Sequence, residues 1–245
     1  MQNKKKNRSR WVLFLVAVIL VLAAAAGVYL MDYYHASEAA LNELDDPDES
    51  VEILREDDRI IFVPEHPLAG MVFYPGGKVE YESYTPLMKS LAEHGILCVL
   101  THMPGNLAVL DQNAADGIPE IFPEITKWYL AGHSLGGTIA GIYLADHPDE
   151  YDGLILLASY STADLSGTDL KVLSIYGSED GVMNREAYNK NLAMLPPNVE
   201  EVVIQGGCHA FFGDYGEQEG DGMPTITQQE QQHQTVNEIV DFILS

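Results

Sequence analysis

The chain has 245 residues, enough for one hydrophobic core and little more. Its formal net charge of −24 argues against nucleic acid as a partner and disfavours long-range attraction of anionic substrates. The two cysteines, Cys98 and Cys208, lack the spacing of a metal site, and no metal or disulfide is expected.

Residues 1–10 are polar and carry Lys4, Lys5, Lys6, Arg8 and Arg10 ahead of any acid. Trp11 to Met31 is a 21-residue run without a charge. As a helix it would span about 30 Å, the depth of a bilayer core. Trp11 at one end and Tyr29, Tyr33 and Tyr34 at the other suit the two interfaces. The basic cluster stays in the cytoplasm, so the rest of the chain is expected outside the cell membrane. A cleaved signal peptide, with its small-residue site in Ala23 to Ala26, is the alternative and would make the protein secreted. Signal-peptide cores are usually about 7–15 residues, which favours an uncleaved anchor over 11–31.

Residues 32–50 read as an acidic linker, with a short helix through Ala36 to Leu44 and a break at Asp45-Asp46-Pro47-Asp48. Residues 51–245 read as one domain. Val51–Leu54 and Arg59–Val63 flank Asp57-Asp58 as a hairpin. From Met71 strands and helices alternate. The strands are Met71–Tyr74, Ile96–Leu100, Trp128–Ala131, Leu154–Leu157, Val172–Tyr176 and Val199–Ile204. The helices are Tyr84–Glu93, Asn113–Phe122, one from Leu135, Arg185–Leu195, and a closing helix after the capping box Thr227-x-x-Glu230. Strands apolar throughout, alternating with helices, give an α/β fold with a mostly parallel sheet covered on both faces. Ligands then bind at the carboxyl ends of the strands. The stretch between Leu157 and Val172 leaves no room for a large lid.

Gly132-His133-Ser134-Leu135-Gly136 places a serine on a sharp strand-to-helix turn, the setting of a nucleophile elbow. A serine hydroxyl needs a base, and the base needs an acid to orient it. Asp180, in the turn after Val172–Tyr176, is the expected acid, with Glu179 as the alternative. His209, after the last strand, is the expected base, with His102 as the alternative. His133 belongs to the elbow and is expected to point away from the nucleophile. The order Ser134, Asp180, His209 is that of α/β hydrolases. Two backbone N–H groups are needed for the oxyanion: Leu135, at the helix start, and Gly77 after the Met71 strand, with Lys78 as the alternative. Tyr74, Met103, Tyr160 and Phe212, all just past strand ends, are the expected pocket residues.

These residues carry a resemblance. Tyr74-Pro75-Gly76-Gly77-Lys78-Val79-Glu80, Gly132 to Gly137, Ser174 to Gly181 and Gly206 to Gly216 together resemble the α/β-hydrolase superfamily. The chain looks most like its small, lidless bacterial group allied to dienelactone hydrolases. The resemblance covers about Val51 to Ser245. It implies an eight-stranded sheet and a Ser-Asp-His triad that works without a cofactor. Dienelactone hydrolases proper use cysteine where this chain has Ser134, and the usual His-Gly of the oxyanion loop is Pro75-Gly76 here. The combined expectation is a membrane-anchored, extracytoplasmic serine hydrolase of carboxylic esters, with a small-molecule ester or acyl substrate. The rivals are an acyltransferase or peptidase with the same triad, and a non-catalytic binding module on the same fold.

Overall fold

A computed structural model of the chain describes residues 2–45 and 50–245. It divides into two units, residues up to 33 and Tyr34–Ser245. The first is a single helix, α1 (Gln2–Met31), whose stretch Trp11–Tyr29 is long and apolar enough to cross a membrane. Of the break read at residues 45–48, Asp46, Pro47 and Asp48 lie outside the described residues.

The second unit is an eight-stranded sheet in the order β1-β2-β4-β3-β5-β6-β7-β8. The strands are β1 (Val51–Arg55), β2 (Arg59–Pro64), β3 (Ala69–Tyr74), β4 (Ile96–Thr101), β5 (Trp128–His133), β6 (Gly153–Leu157), β7 (Lys171–Gly177) and β8 (Val199–Ile204). β1 pairs antiparallel with β2, and β2 with β4; every other pairing is parallel. The parallel strands are apolar at consecutive positions because each face of the sheet has its own core. Met71, Phe73, Tyr129, Ala131, Ile155 and Leu157 feed one core. Their neighbours Val72, Tyr74, Leu130, Leu154 and Leu156 feed the other.

Helices α3 (Thr85–Glu93) and α7 (Gln228–Leu244) close the first core, through Leu87, Met88, Leu91, Val236, Ile239 and Ile243. Thr227 and Glu230 cap α7 reciprocally, as their spacing predicts. Helix α5 (Leu135–Asp146) closes the second core with Ile139, Ala140, Tyr143 and Leu144. The helix read over Asn113–Phe122 shrinks to one turn, α4 (Ile118–Ile121). Gly117, at φ 69°, and Pro119 keep the chain on either side of that turn's start from continuing a longer helix. Helix α6 (Arg185–Asn191) follows β7 and gives way to a tighter 3-10 turn at Leu192–Met194.

The compact unit starts at Tyr34, ahead of the domain boundary read at Val51. Residues 34–44, read as linker, lie on the domain. Tyr34 makes a parallel bridge with Val79: its N–H donates to the Lys78 carbonyl at 2.7 Å, and its carbonyl accepts from Glu80 N–H at 2.9 Å. The Ala36 N–H donates to the Glu80 carboxylate, and the Ser37 N–H to the Asp214 carbonyl. Helix α2 (Glu38–Glu43), capped by Ser37, buries Ala40 completely. An acidic composition disguised this segment, because its anchors are hydrogen bonds of its main chain and a few apolar contacts: Ala40, Leu44 and the Tyr34 ring against Tyr215.

Candidate active site

The carboxyl ends of β3, β5, β7 and β8 converge on one cluster. At the end of β5, Ser134 has φ 51° and ψ −119°, a left-handed conformation that a residue with a Cβ adopts at a cost of about 1–3 kcal/mol. The turn is held from outside: Ser134 N–H donates to Leu157 O, while Ser134 O accepts from Ser159 Oγ at 2.6 Å and from Thr138 N–H at 3.2 Å. The turn also needs its glycines. A Cβ on Gly132 would lie 2.5 Å from the Gly136 carbonyl carbon, and one on Gly136 would run into the Tyr74 and Pro75 carbonyl oxygens. The backbones of β3, β5 and α5 touch here, which presses the helix start against the loop after β3.

Asp180 stands in the turn after β7 with its side chain fully buried. Its Oδ1 accepts from Val182 N–H at 2.9 Å and Met183 N–H at 2.8 Å, and its Oδ2 faces His209 Nδ1 at 2.9 Å. A carboxylate accepts, so the proton sits on Nδ1 and the lone pair of His209 is on Nε2. Glu179 is exposed, and among the described residues its carboxylate takes only the Ser178 hydroxyl. His102 is exposed, stacked on Tyr81 at 4.7 Å, and does not line the cavity that holds Ser134.

Ser134 and His209 line one open cavity of about 310 Å³, with Leu135, Thr138, Tyr160 and Asn184 among its other walls. No hydrogen bond joins them in this state: His209 Nε2 is buried and without a partner among the described residues. Such bonds commonly tighten only when substrate is bound. Of the expected pocket residues only Tyr160 lines this cavity. Tyr74, Met103 and Phe212 are core residues, almost completely buried. Tyr74 turns to the opposite face of the sheet, where its hydroxyl donates to Gln112 O and accepts from Ala115 N–H. Phe212 packs on the His133 ring, and Met103 joins the Tyr74 core.

The loop after β3 offers one unoccupied amide beside the elbow. Gly76 N–H donates to Tyr84 Oη at 3.0 Å, and Lys78 N–H to Asn106 O at 2.7 Å. Gly77 N–H, between them, makes no hydrogen bond among the described residues. A Cβ on Gly77 would lie 2.9 Å from Leu135 Cδ2, so the two residues are neighbours. Leu135 N–H opens α5 and has no intrahelical acceptor.

A second layer supports this cluster, and the sequence did not announce it. The Tyr84 hydroxyl, accepting from Gly76 N–H, lies 2.8 Å from His133 Nδ1. Burial, with His209 nearby, holds His133 well below the usual histidine range, so its ring is neutral. With its oxygen accepting from Gly76 N–H, Tyr84 can donate to Nδ1, while His133 Nε2 is buried without a partner among the described residues. The His133 ring then lies 4.6 Å from the His209 ring, behind it rather than in the cavity. Buried Gln231, on α7, accepts from Cys208 N–H and donates to Cys208 O, which fixes the residue before His209. In sequence Gln231 is one more polar residue in a glutamine-rich helix turn.

A family described as alpha/beta hydrolase matches residues 70–233. No curated protein matches the chain. Among solved structures, the dienelactone hydrolase of Anabaena variabilis superposes with a TM-score of 0.60 at 15% identity, over 80% of this chain and 100% of that one. Est1E of Butyrivibrio proteoclasticus superposes with a TM-score of 0.56 at 15% identity, over 80% and 100%. The monoacylglycerol lipase of Paleococcus ferrophilus gives a TM-score of 0.57 at 14% identity, over 78% and 99%. At these identities the three share the fold of this chain.

Proposed function

The chain belongs to the alpha/beta hydrolase family, and from that premise we propose that it is a serine hydrolase of carboxylic esters. Ser134 is the nucleophile, His209 the base and Asp180 the acid that orients it. The observation that carries this reading is the 2.9 Å bond from His209 Nδ1 to buried Asp180, made by a histidine that shares a cavity with Ser134.

In the proposed reaction Ser134 Oγ attacks the ester carbonyl carbon while its proton passes to His209 Nε2. The carbonyl oxygen becomes an oxyanion and accepts from the Leu135 and Gly77 N–H groups, which have no other partner among the described residues to give up. The tetrahedral adduct collapses, the C–O bond breaks, and the leaving alkoxide takes the proton from His209. Water then attacks the acyl-serine, gives its proton to His209, and the second collapse returns that proton to Ser134. Asp180 stays ionised throughout and stabilises the imidazolium. In the same proposal Trp11–Tyr29 anchors the protein in a membrane. The basic residues before it hold the N-terminus in the cytoplasm, so the domain works on the extracytoplasmic side.

The cavity sits at the small end of ligand sites, which run about 300–1,000 Å³. Each methylene that a pocket buries contributes about 0.8 kcal/mol. A chain that outgrows this cavity gains nothing further. The purified protein should therefore hydrolyse p-nitrophenyl acetate and butyrate, with kcat/KM flat or falling from butyrate to palmitate. Absence of turnover on every chain length in a folded protein would overturn the esterase reading. A large rise toward palmitate would overturn the small-substrate part alone.

A further inference from the structure

Asp221 lies in the loop between β8 and α7, outside the three residues given roles above. Its carboxylate accepts four main-chain N–H groups. Oδ1 takes Gly181 at 3.1 Å, His209 at 3.1 Å and Gly222 at 2.8 Å, and Oδ2 takes Ala210 at 2.8 Å. Gly181 directly follows Asp180, and His209 and Ala210 are the base and its neighbour. One side chain thus ties together the two loops that carry the acid and the base. The packing around it is close. A Cβ on Gly222 would run into the Glu179 carbonyl oxygen, and one on Gly181 would lie 2.6 Å from the Gly220 carbonyl oxygen. The carboxylate does not line the cavity that holds Ser134. It lines a separate cavity of about 210 Å³ with Cys208, Phe211 and Met223.

We propose that Asp221 is a positioning residue that sets the Asp180–His209 hydrogen bond by holding the two loops in register. Asp180 and His209 come from turns after different strands. Glu179 N–H to Gly207 O and Gly206 N–H to Ser178 Oγ, both at 2.8 Å, join the turns near the strand ends, whereas Asp221, from outside both turns, bonds the base itself and the residues next to the acid and the base. Charged acceptors make hydrogen bonds roughly twice as strong as neutral ones. The four N–H donors hold the Asp221 carboxyl below the usual carboxylate range despite its partial burial, so it remains charged at neutral pH. The proposal rests on the triad reading for its catalytic consequence, but the loop tie itself can be tested without any activity.

The test uses the full-length chain. Asp221→Asn keeps the shape but turns an amide NH2 toward a main-chain N–H that needs an acceptor. Its kcat on p-nitrophenyl butyrate should fall about 10- to 100-fold, the scale of a small misplacement of catalytic groups, with KM changed less than about twofold. The downfield proton resonance of His209 Nδ1–H should broaden or vanish. A structural role alone would lower the melting temperature and leave both readouts intact. Wild-type kcat and an intact resonance in folded Asp221→Asn overturn the proposal. If the variant does not fold, amide exchange in the wild type decides. Gly181, His209 and Ala210 should show one common protection factor, and independent opening of the acid and base turns overturns the tie. A wild type without esterase activity would sink the functional reading and leave the resonance and exchange results to judge Asp221.

Discussion

Ser134→Ala should give a folded protein that a fluorophosphonate no longer labels and whose ester turnover falls by about 10⁴- to 10⁶-fold. The backbone at residue 134 is strained, at φ 51°, yet the strain is carried by the main chain and its partners Leu157, Ser159 and Thr138. Alanine has the same Cβ and keeps all three contacts. The Ser134 hydroxyl makes no hydrogen bond with His209 that folding could lose. The melting temperature should therefore stay within about a degree or two of the wild type, since substitutions of this kind usually change stability by less than about 0.5 kcal/mol. Activity and stability separate cleanly at this position. Labelling of the alanine variant at the wild-type rate would remove Ser134 from the mechanism.

Asp180→Asn should cost about 10⁴-fold in kcat with KM nearly unchanged. An asparagine can keep its oxygen toward Val182 and Met183, whose N–H groups now bond Oδ1. Its NH2 then faces His209 Nδ1, where a donor is already present. The imidazole resolves the clash by moving its proton to Nε2, the atom that must accept from Ser134. The nucleophile loses its base while every heavy atom stays in place. Glu179→Gln is the matched control. That side chain is exposed and bonds only the Ser178 hydroxyl among the described residues, so the variant's kcat should stay within about twofold of wild type. A silent Asp180→Asn, measured by initial rates on butyrate ester, would exclude the acid role.

The grouping of the proposed catalytic residues was more legible in the sequence than the lining of the cavity. Ser134, Asp180 and His209 could be proposed together because each sits in a glycine-rich turn directly after an apolar run, and their chain order differs from that of other serine triads. Asp180 was the expected acid and Glu179 the alternative. Adjacent side chains in a turn differ in direction, and the fold puts Asp180 against His209 and leaves Glu179 exposed. Direction also explains the pocket. Tyr74 and Ser134 both lie at strand ends, but Tyr74 faces the second core and spends its hydroxyl there. A strand end gives position along the sheet, and the face needs the register. Asp221 was hidden for another reason. It stands in the acidic stretch Glu217 to Asp221, which reads as solvated surface, and its four partners are backbone amides that leave no residue pattern. Gly220 and Gly222 on either side were the only trace.

The strand-like bridge from Tyr34 to Val79 bears on activation entropy. Tyr34 hydrogen-bonds Lys78 O and Glu80 N, on either side of the residue it pairs with, two and three residues beyond Gly76 and Gly77. A chain trimmed to begin at Val51 keeps every side chain of the proposed reaction and loses this bridge. The loop that offers the Gly77 amide would then wander in the ground state and be ordered anew in each transition state. Fixing one residue's backbone costs about 1–2 kcal/mol in TΔS, equivalent to about five- to thirtyfold in rate. An Eyring comparison should show that loss almost wholly as a more negative entropy of activation, with the enthalpy little changed. A chain beginning at Tyr34 should match the full-length enzyme in both. An equal enthalpic penalty in both trimmed forms would instead point to a change in the chemistry itself.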